Sequence, residues 1–341
     1  MQWQHQISLK VSTIAGFQAA LAVLLAIVLA HFSQWPHLVG FAALGALASL
    51  FGRFAPINRR HGIVWISAAM LTAAVFATSL PSWLGAPAFV PVLVVAAVAG
   101  AASVGFNYWK LGGPGAVIIV FAAGAAMTPI DSGSVLLERT LATAAGGLVA
   151  WLVTSASDFL RISELRRIQP PAEPARPLSH ILLAGGRIAL GAAAAALVAY
   201  AAGWSHPSWA AIGATAVMQG SHLHITWHRA LQRMAGTMVG SLLVWMILET
   251  QPSFWVVVVA IVIFQFITEV IIGFNYALGQ ITVTPMALLM TYLASPVSNA
   301  SEMAIERVFD TMLGAVLGIV VAVLFSTLDD RRHLARLRRG N

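Results

Sequence analysis

Near the end of the chain, "IERVFDTMLG" (residues 305–314) sets Glu306, Arg307 and Asp310 inside a stretch that otherwise reads as a membrane helix. On a helix Glu306 and Asp310 are i,i+4 neighbours and Arg307 and Asp310 are i,i+3 neighbours, so Asp310 is within reach of both. At about 1.5 Å rise per residue, Asp310 lies roughly 9 Å below the start of its span. A charge at that depth costs at least a few kcal/mol, so it faces a cavity or a partner. A guanidinium there can attract an organic anion, and Asp310 or Glu306 can take up a proton. The alternative reading is structural: Glu-Arg ion pairs that hold helices together near the outer face. "LERTLATAAG" (137–146) places Glu138 and Arg139 in the same way, with Ala142 where the later segment has Asp310. That difference favours one working site over two identical ones.

The elements that must position these charges are set by composition. Only 9% of the residues are charged while 59% are apolar, and the mean hydropathy is +0.84. A water-facing surface cannot be built from so few charges, so lipid is the solvent and the chain is an integral membrane protein. Cysteine is absent, which excludes disulfides and thiolate chemistry. The first apolar run, after Lys10, reads as a retained span and not as a signal peptide.

Apolar runs of bilayer-crossing length fall near 12–33, 38–56, 62–81, 86–105, 114–130 and 136–156, and again near 182–202, 207–224, 232–249, 253–272, 281–296 and 303–326. The fifth and eleventh are short and read as broken or re-entrant. Residues 157–180 hold four arginines and four prolines and read as a polar linker. Residues 327–341 form a basic tail that suits anionic lipid; no motif accompanies its charge, which argues against nucleic acid. With both termini in the cytoplasm, 17 of the 19 basic residues lie on the cytoplasmic side, as the positive-inside rule asks. The exceptions are Arg139 and Arg307.

One offset recurs along the chain. "GFNY" stands at 105–108 and 273–276, Glu-Arg at 138–139 and 306–307, and Gly45, Thr143 and Gly146 match Gly213, Thr311 and Gly314; each pair is 168 positions apart. The expected fold is therefore all-α and polytopic, with about twelve transmembrane helices arranged as two parallel six-helix repeats, 1–156 and 181–326. Such repeats place a substrate path at their interface, near the midplane.

Further candidates carry two readings each. Asn107 and Asn275 close helix ends or line a pathway. Glu269 reaches the headgroups from the end of its span, or acts as a gate or coupling group. Arg229 and Arg233 anchor the cytoplasmic face, or gather anions in a vestibule. His222, His224 and His228 lie in a short loop without carboxylate or thiol, so no metal site is expected; they read as interfacial histidines with a role in pH sensing as the alternative. No phosphate-cradling loop, nucleophile elbow or paired helix histidines with glutamate occurs, so no enzyme and no cofactor is expected.

Residues 206–245, "HPSWAAIGATAVMQGSHLHITWHRALQRMAGTMVGSLLVW", resemble the fusaric acid resistance and aromatic acid exporter family of bacterial inner-membrane proteins. The likeness rests on His206–Trp209, on Arg233, Gly236, Thr237 and Gly240, and on the closing "IERVFDTMLGAVLG". It covers 182–326 well and the first half weakly, where the Arg…Gly-Thr element is missing around Arg59–Trp65. The resemblance implies export of aromatic carboxylic acids across the bacterial inner membrane, often with a periplasmic adaptor protein. Plant aluminium-activated malate channels look like distant relatives, which keeps an anion pathway in view. The expectation is an exporter of small organic anions, proton-coupled through Asp310, Glu306, Glu138 or Glu269. A passive anion channel and a non-transporting membrane scaffold are the rivals, and self-association into a homo-oligomer is left open.

Overall fold

Apolar runs about as long as a bilayer is thick become helices in a computed structural model of the chain, which describes residues 9–161, 177–219, 223–294 and 300–325. The basic tail, most of the linker and His222 lie outside the described residues. Among the described residues there are twelve α-helices and no strand. They are α1 (Leu9–His31), α2 (Val39–Ala46), α3 (Ile57–Trp83), α4 (Phe89–Tyr108), α5 (Ala116–Ala125) and α6 (Gly133–Ser157), then α7 (Leu178–Ala201), α8 (Pro207–Met218), α9 (Leu223–Glu249), α10 (Phe254–Ile271), α11 (Tyr276–Ala294) and α12 (Ala300–Leu324).

Nine helices among the described residues are long and apolar enough to cross a bilayer. The other three, α2, α5 and α8, fall short of the roughly 20 residues a crossing needs, having 8, 10 and 12. About twelve transmembrane helices were expected, the fifth and eleventh broken or re-entrant; the runs at 38–56, 114–130 and 207–224 hold short helices. All eight residues of α2 and all but the last of α8 are buried. Short or broken helices persist at membrane depth only when other protein covers their ends. At α5 that cover is specific. Gly115 has a φ of 87°, and Gln219 at the end of α8, with its amide oxygen facing α5, accepts from the N–H groups of Ala116 (2.9 Å) and Val117 (3.0 Å). The eleventh run, read as short, is a 19-residue helix with Pro285 inside it.

Packing follows a pattern. Helix α1 lies on α2 and α6, α2 on α6, α3 on α5 and α6, and α4 on α5. Six helices later, α7 lies on α8 and α12, α8 on α12, α9 on α11 and α12, and α10 on α11. Across the middle, α1 meets α10, α4 meets α7, α2 meets α11 and α5 meets α8.

Glycine makes two of these crossings tight. A Cβ on Gly146 of α6 would stand 2.0 Å from the Ala42 carbonyl oxygen of α2, and one on Gly45 would stand 1.9 Å from that of Thr143. The same contacts recur where α12 crosses α8. There a Cβ on Gly314 would lie 2.2 Å from the Ala210 carbonyl oxygen, and one on Gly213 would lie 3.2 Å from that of Thr311. Small residues let helix backbones approach closely where lipid gives no hydrophobic drive to pack.

The periodicity of α12 decides where its charges go. Ile305, Phe309, Met312, Val316, Val320 and Val323 are exposed along one stripe, the apolar face a lipid-contacting helix presents. Arg307, Asp310, Thr311 and Gly314 fall on the other face and turn inward.

Candidate functional site

Three helices of the second half bring polar groups to one interior region. Helix α12 supplies Arg307, 3% exposed, and Asp310, 0% exposed; α9 supplies Arg233, 4% exposed; and α8 supplies the buried Trp209. The Arg307 guanidinium carbon lies 5.2 Å from the centroid of the Trp209 ring, within cation–π range. On the same ring His206 stacks with centroids 4.0 Å apart.

Among the described residues Asp310 and two of the Arg307 nitrogens have no hydrogen-bond partner. Arg307 Nε and Nη1, both Asp310 carboxylate oxygens, Arg233 Nε and the hydroxyls of Thr215, Ser241 and Thr311 are all buried and unpartnered. Each such group costs about 1–3 kcal/mol when left unmade, more if charged. Five of them, on Arg307, Asp310 and Thr311, lie within about one turn on the buried face of α12.

The sequence placed Asp310 within reach of Glu306 and Arg307; among the described residues it makes no hydrogen bond to either. Glu306 turns away: its Oε1 accepts from the Ser205 backbone N–H, and its Oε2 lies 2.5 Å from His206 Nδ1. The physical reason is the polar start of α8 beside the mouth of α12, which offers one carboxylate two donors. Glu138 likewise meets His37, at 3.4 Å. The Glu-Arg ion pairs of the structural reading are therefore absent among the described residues; the glutamates bind histidines and leave the arginines to other contacts.

Arg139 mirrors Arg307 in part. Its guanidinium carbon lies 5.2 Å from the Phe41 centroid, and 41 and 139 stand 168 positions before 209 and 307. Arg139 is half-buried, however, and its Nη1 donates to the Thr128 carbonyl at 2.8 Å. The first half thus has a satisfied arginine where the second has an unsatisfied one.

Arg233 was expected at the beginning of a span. Helix α9 starts at Leu223, which puts Arg233 about 15 Å along it. There its Nη1 donates to Gln280 Oε1 of α11 at 3.1 Å. A Cβ on Gly236, one turn later, would stand 2.5 Å from Gln280 Cβ, so glycine lets α11 come close enough for that bond. Arg229 remains half-exposed, 5.8 Å from the Tyr276 centroid. The asparagines bond locally: Asn107 Nδ2 donates to the Ser103 carbonyl at 2.8 Å, and Asn275 Oδ1 accepts from Leu278 N–H at 3.1 Å, capping α11. His228 is exposed. Among the described residues no group of three or more His, Cys, Asp or Glu could hold a metal ion.

A second charged cluster was missed in the sequence. Arg53 follows α2, Arg60 lies in the first turn of α3, and Asp158 and Arg161 form a single 3-10 turn after α6. Arg60 and Arg161 are both 0% exposed. Both guanidinium groups meet one oxygen of Asp158, Arg161 at 3.4 Å and Arg60 closer. Arg53 donates to Ser12 of α1 and lies 3.5 Å from Glu269 of α10. Burial pushes the Arg53 guanidinium below its ordinary value, and the Glu269 carboxylate opposes that shift. In the sequence Arg53 and Arg60 look like interfacial anchors because they flank apolar runs, and Arg161 looks like part of the linker. The available signal was that "SDFLR" continues the apolar spacing of α6 by one more turn.

An all-helical, multi-pass membrane protein with unpaired cations in its interior is what fold and site define. The comparisons with known proteins agree with that class. Residues 193–321 match the family model described as fusaric acid resistance protein-like, so the resemblance read from residues 206–245 is shown for that region. Over 147 residues the chain is 33% identical to the uncharacterized membrane protein YvaC of Bacillus subtilis (strain 168), covering 43% of this chain and 23% of YvaC. This chain therefore spans about a quarter of that relative's length. No solved structure matches.

Proposed function

We propose that this protein moves small organic anions, aromatic carboxylates in particular, outward across the bacterial inner membrane, with both termini in the cytoplasm. The observation that carries the reading is Arg307: a buried guanidinium against an aromatic ring with two nitrogens unpartnered. Such a group offers charge-assisted hydrogen bonds to a carboxylate, and Trp209 offers a surface for the attached ring. Arg233, about 15 Å along α9, adds positive charge from the cytoplasmic side.

The helix pairings that recur six helices later, and the glycine crossings that recur 168 residues later, support a two-repeat arrangement with a pseudo-twofold axis along the membrane normal. In that frame the path runs between the halves, and Asp310 is the group that takes up a proton. The positive-inside count supports the orientation. A periplasmic adaptor would receive the cargo on the outer side.

The test is flux of benzoate from proteoliposomes. Replacing Arg307 and Arg139 together by alanine abolishes flux in a protein that still folds; unchanged flux removes this site assignment. A pH gradient drives accumulation in the coupled exporter and fails to do so in a passive channel.

A further inference from the structure

The Arg53–Arg60–Arg161 cluster has a composition that its own contacts do not balance. Among the described residues three guanidinium groups meet two carboxylates, Asp158 and Glu269. With both carboxylates ionised the sum is +3 − 2 = +1, in a place where Arg60 and Arg161 are fully buried. Each arginine presents five N–H donors and no acceptor. Here Arg53 Nε, Arg60 Nε and Nη2, and Arg161 Nε and Nη2 are buried and unpartnered. A buried cation in excess of its partners is strongly unfavourable and calls for a compensating charge.

The surroundings are those of a site and not of a surface. Gln18 of α1 donates to Ser157 at 2.7 Å and to Asp158 Oδ1 at 3.5 Å, leaving its Oε1 unpartnered. His61 Nε2 lies 3.4 Å from Asp158 Oδ2. Four helices, α1, α3, α6 and α10, converge here, and Arg53–Glu269 joins the first half of the chain to the second. The cluster lies at the start of α1 and α3 and the end of α6 and α10, whereas Glu306 and Glu138 sit near the beginning of α12 and α6, at the opposite end.

We propose that this cluster is a second anion site, one that takes a small monocarboxylate between the Arg60 and Arg161 guanidinium groups. One negative charge brings the sum to zero, and a carboxylate accepts bidentate hydrogen bonds from guanidinium nitrogens. Its use as the inward-facing loading station rests on the export reading; the site itself does not. Asp158 competes with the ligand for the same two arginines and tunes its affinity.

Binding is measured on the full chain purified in detergent, without any gradient, so its outcome is independent of transport. The probe is sodium benzoate at constant ionic strength in chloride, read as a rise in Tm with ligand concentration. Arg307→Ala removes the benzoate contact of the export reading, so the saturable shift that remains in that variant reports this cluster, and adding Arg161→Gln to it weakens the apparent affinity about tenfold or more. Asp158→Asn and Glu269→Gln act in the opposite direction and strengthen binding, because each removes a competing negative charge. If Arg161→Gln fails to fold, Glu269→Gln decides alone. The proposal is overturned by a benzoate shift in the Arg307→Ala protein that is absent or that Arg161→Gln leaves intact, by a shift there that Glu269→Gln weakens, or by a response to phosphatidylglycerol with none to benzoate.

Discussion

Arg307 rests against Trp209, its guanidinium carbon 5.2 Å from the ring centroid, and neither of its two unpartnered nitrogens meets the buried carboxylate of Asp310 one turn away. A cation and an anion on one buried helix face would normally close on each other. Here they stay apart, and the aromatic ring holds the cation in place instead.

Trp209 is then expected to matter through its ring. Trp209→Phe keeps a weaker cation–π partner, and Trp209→Leu keeps none. Since such contacts are worth about 0.5–2 kcal/mol, the leucine variant raises KM for benzoate flux by roughly twofold to thirtyfold, with phenylalanine between it and the native protein. Equal KM values in all three would disconnect the ring from the cargo.

Arginine at 307 supplies a planar fork where lysine supplies a point charge. Arg307→Lys therefore lowers kcat/KM for benzoate by about tenfold or more. Arg139→Lys has a smaller effect, because Arg139 is half-buried and already donates to Thr128. Flux assays on the two single variants check this order, and a larger loss at 139 would reverse the assignment of the working half.

Asp310→Asn removes proton coupling without removing the path. That variant no longer accumulates benzoate under an imposed pH gradient, yet still exchanges labelled for unlabelled benzoate. Gradient-driven accumulation that survives the substitution places coupling elsewhere.

The glycine crossings give a prediction about stability. Gly314→Ala puts a methyl group 2.2 Å from the Ala210 carbonyl oxygen, and Gly146→Ala puts one 2.0 Å from that of Ala42. Both contacts are with backbone, so the helices must separate, at a cost of about 3 kcal/mol each. Thermal unfolding in detergent reads this as a clear fall in Tm, and Gly186→Ala, where nothing lies within 4 Å, serves as the neutral comparison.

His206 and Glu306 join the beginning of α12 to the beginning of α8 at 2.5 Å. His206→Ala removes that contact and the stacked ring on Trp209, and is expected to cost about 1–2 kcal/mol. A thermal unfolding series at fixed pH measures it directly.

Composition by itself determined that this chain lives in lipid, because 9% charged residues cannot cover a surface in water. The sequence also showed where helices run, since apolar runs and their breaks mark them locally, and it exposed the 168-residue offset whose glycine contacts α2 and α6 make, and α8 and α12 repeat. It singled out Arg307 and Asp310 as buried charges because a charge inside an apolar run must turn away from lipid.

Partners were decided by the tertiary structure alone. Spacing along α12 allowed Asp310 to reach Glu306 and Arg307, but spacing describes only one helix, and the start of α8 took Glu306 away. Arg161 lies 101 positions beyond Arg60, which is only seven beyond Arg53, and each looked like an ordinary flanking cation. They became one cluster only because the beginnings of α1 and α3 meet the ends of α6 and α10. Helix length was set the same way: α2, α5 and α8 stop early because neighbouring helices shelter their ends, a condition that no local run of residues encodes.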